Sequence, residues 1–258
     1  REGRDTDARA LLSAAAAAAH GHADYELEAD SQLLVAAYAP STEDEQTKKL
    51  IDGILELGEA HNLRYQMAAA LLNLGLLRIH QSRFGAAIPN FEQAAQSAKQ
   101  SGATLLYSIA LGNLATCYYS LGDFDRALDL RKQAIAIQDR AGLTTPLRDS
   151  YLELGSSQLI QGNTQKGIEN LRHALALVNA EDAPELYSLI ATNLASALET
   201  TGALDEAERL NQSAATVNKG SDLEMKAALL LNQAAIAEHR GQHEIAVNTY
   251  LKAISASK

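Results

Sequence analysis

The chain has 258 residues and a formal net charge of −10, with 22 Lys and Arg against 32 Asp and Glu, one Cys and no Trp. Nucleic-acid affinity rests on Lys and Arg displacing condensed counterions, so this charge, with no basic stripe anywhere, argues against a phosphate-binding surface. Cys117 alone supports neither an internal disulfide nor a Cys-rich zinc site, and no apolar run approaches the roughly 20 residues of a membrane span.

The expectation is a cytoplasmic chain whose partners include no nucleic acid, membrane, metal or other cofactor. Because it opens at Arg1 without an initiator Met, it also reads as a piece of something longer. Ala (48) and Leu (40) supply about a third of the residues and only 4 Pro interrupt them, a composition that favours helix.

In chain order, a single helix is predicted from about residue 5 to residue 19, closed by Gly21. Two stretches follow, 23–39 and 43–60, which read as a degenerate helix pair ended by Asn62. Five clear units come next, at 65–102, 104–142, 146–182, 185–220 and 222–258. Their marker is a polar-Leu-small triplet: Asn73-Leu74-Gly75, Asn113-Leu114-Ala115, Glu153-Leu154-Gly155 and Asn193-Leu194-Ala195, with Asn232-Gln233-Ala234 as its last, altered copy. The steps between them are 40, 40, 40 and 39 residues. A fixed period of this size is the mark of a repeat array. One step back, the beat falls on Leu34-Val35 and Ile54; another lands on Ala14.

Within each unit a Gly turn, at Gly122, Gly162, Gly202 and Gly241 with Ser82 in the first copy, separates two apolar-periodic stretches, so each unit reads as two antiparallel helices. Small residues recur at Ala87, Ala127, Gly167, Ala207 and Ala246, where they let facing backbones approach closely. Asp123 and Asn163 are placed to accept hydrogen bonds from the N–H groups that open a second helix. Asn62, Gly102, Gly142 and Gly220 fit left-handed C-caps, and Pro146 and Pro184 stand where a helix should stop. Pro89, inside a second helix, predicts a kink or a late start. The sum is thirteen helices in one array over 1–258. Residues 5–21 are then the second helix of a truncated repeat and 23–62 a degenerate repeat, and the array is cut from a longer one because its last apolar face lacks a cap.

The pattern of Leu71, Leu74, Gly75, Ala87 and Phe91, repeated as Leu111, Leu114, Ala115, Tyr118, Gly122, Ala127 and Ala134, resembles the tetratricopeptide repeat (TPR) over 65–258, and in weaker form over 23–62. The resemblance implies an all-α, right-handed α-solenoid of stacked antiparallel helix pairs, with first helices lining a concave wall. The 40-residue period and the missing terminal Pro depart from the usual 34-residue form and resemble the longer-helix subclass of MalT-like bacterial regulators and scaffold proteins. The stretches Gly122-Asp123-Phe124-Asp125-Arg126-Ala127-Leu128 and Pro146 to Gly155 are similar to TPR arrays that precede CHAT protease domains. A protein-interaction scaffold within a larger bacterial protein is therefore expected. The alternative is a ligand-sensing module controlling an attached effector such as a CHAT protease. Neither makes the chain itself an enzyme, and any catalysis would lie in another domain.

If first helices line the wall, positions i, i+4, i+7 and i+11 face a partner. These place Asn73, Asn113, Asn193 and Asn232 in one ladder, with Thr116, Ser156 and Ser196 beside them, as a peptide-binding set. Asn offers both a donor and an acceptor to a peptide main chain, while the competing reading is that it bonds neighbouring helices or water. Glu153 breaks the ladder and joins Asp149 one turn away, giving an acidic centre suited to a basic segment. No nucleophile or metal site accompanies the two carboxylates, so catalysis is not expected there. Tyr107, Tyr118, Tyr119 and Tyr151 form the aromatic group a small-molecule pocket would need. The pairs His239/His243 and His20/His22 each flank a Gly, which spoils a metal geometry. Cys117 reads as a small core residue, and the sequon Asn211-Gln212-Ser213 falls inside a helix. Exposed array ends offer a route to end-to-end self-association.

Overall fold

The computed structural model describes residues 2–37, 44–218 and 223–256. Among them are thirteen helices and no strand, the all-α repeat class that the periodicity implies. They fall into two compact units, residues 1–142 and 143–258. The first holds α1 (Glu2–Gly21), α2 (Tyr25–Ala37), α3 (Asp44–His61), α4 (Arg64–His80), α5 (Phe84–Ser101), α6 (Thr104–Ser120) and α7 (Phe124–Arg140). The second holds α8 (Thr144–Ile160), α9 (Thr164–Ala176), α10 (Pro184–Thr200), α11 (Leu204–Val217), α12 (Leu223–His239) and α13 (His243–Ala256). From α4 onward the strongest packing joins the two helices of a repeat, and each pair then stacks on its neighbour within the unit, whereas α2 packs more on α1 than on α3.

One turn geometry builds nearly every corner. A residue with positive φ follows the helix, and the N–H after it reaches back five residues: Arg83 to the carbonyl of Arg78 (2.8 Å), Asp123 to Tyr118 (2.9 Å), Asn163 to Gln158 (2.8 Å) and Gln242 to Ala237 (2.9 Å). This wrap satisfies carbonyls left open at the helix end. Glycine fills most left-handed positions, but Ser82 (φ 57°), Asn62 (φ 58°) and Ala23 (φ 57°) also hold it. Ala23 is a correction to the sequence reading. Gly21 is still helical, and α1 closes two residues later, where Asp24 N–H donates to the Ala19 carbonyl at 3.0 Å.

Other boundaries differ from expectation for identifiable reasons. Asp123 does cap α7, accepting from Arg126 N–H at 3.3 Å, whereas the Asn163 side chain makes no cap bond to α9. Pro146 and Pro184 open helices rather than stopping them. They lie in the first turns of α8 and α10, where a missing N–H costs nothing because those donors have no intrahelical partner. The late start expected from Pro89 is absent: α5 begins at Phe84, on the same beat as α7 at Phe124, and runs through an exposed Pro89. So early in a helix, Pro removes a single bond, the one to the Gly85 carbonyl. The Gly220 cap and residues 38–43 lie outside the described residues.

Close approach explains two helical glycines. A Cβ on Gly75 would stand 2.5 Å from the Phe91 ring, which is fully buried between α4 and α5. At Gly155 it would meet Leu171 at 2.9 Å and the Gly167 carbonyl at 3.0 Å, so α8 and α9 touch backbone to backbone. A second interior pattern concerns the pair of positions 12 residues apart that faces across each repeat. In the first clear repeat it is Arg78 with Asn90, where the guanidinium also donates to the Ala86 carbonyl at 2.6 Å. In the third it is Gln158 with Asn170, bonded at 2.7 Å. The second and fourth repeats place Tyr118 with Leu130 and Leu198 with Leu210 there, and both pairs join apolar clusters. These four pairs are matched in polarity; the fifth repeat places Ala237 with Thr249, whose hydroxyl donates to the Ile245 carbonyl of its own helix at 2.8 Å.

Candidate functional site

The faces that carry the predicted site are the outer sides of the first helices. In the first unit α4 packs beside α2 and α6; in the second α10 packs beside α8 and α12. Burial fixes the register of α2. Its buried residues Glu28, Ala29, Ser31, Val35 and Ala36 match the buried Met67, Ala68, Ala70, Leu74 and Gly75 of α4 one for one. Val35, not Leu34, therefore stands where Leu74 stands, one residue off the expected beat, and Leu34 occupies the ladder position of Asn73.

All four ladder asparagines are half-buried. They divide by what their amides do. Asn232 on α12 donates to the Thr192 carbonyl of α10 at 2.9 Å, a bond that ties one repeat to the next within the second unit. Asn73, Asn113 and Asn193 have no side-chain hydrogen bond among the described residues, so the donor and acceptor of each remain open, on α4 and α6 in the first unit and at the equivalent position of α10 in the second. Thr116 is spent internally: its hydroxyl donates to the Gly112 carbonyl (3.2 Å) and accepts from the Arg131 guanidinium (3.0 Å). Ser156 is half-buried, and Ser196 is exposed.

The acidic centre is compensated. Arg148 on α8 holds Asp149 with Nε at 2.9 Å and a terminal nitrogen at 2.8 Å, while Glu153 lies exposed one turn further on. The tyrosines do not line one pocket. Tyr107 and Tyr118 pack on the first unit's core, Tyr118 lies 5.4 Å beneath the Arg126 guanidinium, and Tyr119 meets the Phe124 ring edge-on at 5.2 Å. Tyr151 belongs to the second unit and stacks on His173 at 4.9 Å.

Histidines serve carboxylates. His20 Nδ1 reaches Glu28 at 2.9 Å, and His239 Nε2 reaches Glu199 at 3.2 Å. Among the described residues no group of three or more His, Cys, Asp or Glu could hold a metal ion, and no helix is long and apolar enough to cross a membrane. Cys117 is fully buried, and burial pushes its thiol from 9.0 up to about 11. Asn211 is buried too, donating to the Leu229 carbonyl at 3.0 Å, which closes the sequon to modification.

Sequence reasoning missed the ion pairs of the second unit. Arg240 bridges Glu208 and Asp205, each at 2.7 Å, and Arg172 meets Glu206 at 2.8 Å. The signal was present: opposite charges stand 32–35 residues apart, somewhat less than one period, and stacking turns them into neighbours. Tyr250 donates to Glu238 at 2.8 Å, and that bond raises the phenol's pKa.

This geometry defines a helical-repeat protein whose surfaces come from stacked helix pairs, with no catalytic constellation among the described residues. Residues 66–140 match the tetratricopeptide repeat family model, and the helix pairs among the described residues have the TPR-like fold. No curated protein matches the sequence. Among solved structures, BtubC (BKLC) from P. vanneervenii is similar with a TM-score of 0.70 at 16% identity, over 89% of this chain and 91% of that one. A signal transduction ATPase with numerous domains (STAND) from Pyrococcus horikoshii, carrying a TPR sensor, is similar with a TM-score of 0.76 at 14% identity, over 90% of this chain and 37% of that one. NprR, in complex with its cognate peptide NprX, is similar with a TM-score of 0.53 at 15% identity, over 98% of this chain and 79% of that one. At these identities the likeness is one of fold.

Proposed function

We propose that the chain is a protein-interaction module that holds an extended segment of a partner against its first-helix faces, within a larger multidomain bacterial protein. The observation that carries this reading is the pair Asn73 and Asn113. They are half-buried at equivalent positions of adjacent helices in one unit, and neither amide is used internally. Asn in mid-helix costs propensity, and Asn232 offsets that cost with a bond to the next repeat, whereas these two gain no such bond. An extended peptide main chain supplies the alternating N–H and C=O groups that would pair with them. NprR, whose fold is similar, is seen with a peptide, and the similar STAND protein carries its repeats as a sensor. The first likeness favours a polypeptide segment as partner, and the second favours a sensing use of its binding.

The test is capture from a bacterial lysate with immobilised chain, comparing wild type with Asn73→Ala/Asn113→Ala at matched helicity. Loss of one partner by the double variant supports the reading. Equal retention by both sinks it, since the open amides would then be idle.

A further inference from the structure

Two exposed leucines break the repeat's own pattern, and the residues around them carry opposite charge. Leu34, about half exposed on α2, stands where the later first helices carry Asn73, Asn113, Asn193 and Asn232. It shares the exposed face of α2 with Leu27, also half exposed, and with the exposed carboxylate of Glu26; Asp30 lies half-buried beside them, one of its oxygens accepting from the Gln66 amide of α4 at 3.1 Å. Leu251, 58% exposed on α13, stands where the preceding second helices carry Glu92, Lys132, Arg172 and Gln212, all exposed. It lines an open groove of about 500 Å³ between α12 and α13, together with Leu230, Lys226 and Lys252. Neither lysine has an ion-pair partner among the described residues.

We propose that the α12–α13 groove receives the α2 face of a second copy of this chain. Leu27 and Leu34 then fill the apolar floor formed by Leu230 and Leu251, and Lys226 and Lys252 meet Glu26 and Asp30. The two surfaces complement each other in sign: an exposed apolar face flanked by acids and an apolar groove flanked by lysines. The net charge of −10 opposes association at long range, but at physiological ionic strength screening within about 8 Å leaves the local pairs in control. The contact is heterologous, since every copy carries one such face and one such groove, so assembly does not stop of necessity at two chains. It does not depend on the open asparagines, and it stands or falls apart from the reading built on them.

The experiment is sedimentation velocity of the full chain over a concentration series, at low and high salt. Wild type should gain mass with concentration and lose that gain in high salt. Leu34→Asn and Leu251→Glu each install a residue the protein already uses at that repeat position, so both should fold, and each should raise the dissociation constant roughly tenfold. Lys226→Glu/Lys252→Glu should be monomeric, as should Glu26→Lys/Asp30→Lys, and an equimolar mixture of the two should associate again because each then offers what the other lacks. A monomeric wild type at every concentration overturns the proposal. So does assembly indifferent to these variants, or a mixture that stays monomeric.

Discussion

Replacing Gly75 with Ala puts a methyl group 2.5 Å from a fully buried Phe91 ring, where ordinary contact begins near 3.4 Å. The ring must retreat by about 0.9 Å through a closed core, and overpacking of this kind costs about 1–3 kcal/mol. Ala in place of Gly inside a helix returns about 1 kcal/mol. The net expectation is a loss of about 1 kcal/mol in the wild-type background. With Phe91→Leu the obstruction is gone, and the same Gly75→Ala change should instead stabilise by up to about 1 kcal/mol, a coupling of about 2 kcal/mol across the cycle. Urea unfolding of the four proteins, with hydrogen exchange of α4 and α5 peptides reporting on the first unit, measures each corner. If Gly75→Ala costs the same with and without the Phe91 ring, the close packing of α4 on α5 is not what requires glycine there, and the argument fails.

Three further outcomes follow from other residues. Arg78→Ala should destabilise by about 2–3 kcal/mol because Asn90 and the Ala86 carbonyl lose a charged donor, while Arg78→Leu/Asn90→Leu, imitating Leu198 and Leu210, should cost far less; urea midpoints compare them. Asn232→Ala should cost about 1 kcal/mol through its lost bond to the Thr192 carbonyl, and Asn73→Ala should stay within about 0.5 kcal/mol of wild type; equal costs would contradict the division of the ladder. Cys117 keeps its proton up to about pH 11 when folded and to about 9 when unfolded, so its contribution is complete below pH 9 and lost as pH rises toward 11. Wild type should therefore lose stability relative to Cys117→Ala across that window, and a constant difference would refute the buried thiol.

Much of the fold was legible because its information is periodic. The Leu-small pairs, the turn glycines and the small residues that follow them each repeat on one beat, and helix type and turn positions follow. What escaped was aperiodic. Ala23 takes a left-handed turn that its side chain disfavours, because the Asp24 bond to Ala19 and the start of α2 fix the backbone there. The one-residue slip that puts Leu34 on the ladder shows only in burial, since α2 has too few leucines on its inner side to declare its register. At the candidate site, the positions of the asparagines could be read from spacing, but which amides stay open could not. That depends on whether the carbonyl of the preceding repeat comes within reach, as Thr192 does for Asn232. The Asp149–Glu153 pair was visible as carboxylates, yet Arg148, adjacent in sequence and so pointing elsewhere in a simple wheel, folds back onto Asp149.

The alternating interior pairs bear on how such a chain avoids folding wrongly. Repeats of near-identical outline invite a helix to dock with the wrong mate during synthesis, a characteristic failure of tandem architectures. Here a swapped mate is marked. If α4 met α7 in place of α5, Arg78 would lie against Leu130; if α8 met α11, Gln158 would face Leu210. Each exchange buries a polar group without its acceptor or donor, at about 1–3 kcal/mol or more. The pairs thus act as an address written into the interior, by which the helices of these four repeats distinguish their own mate from the copy one repeat further along.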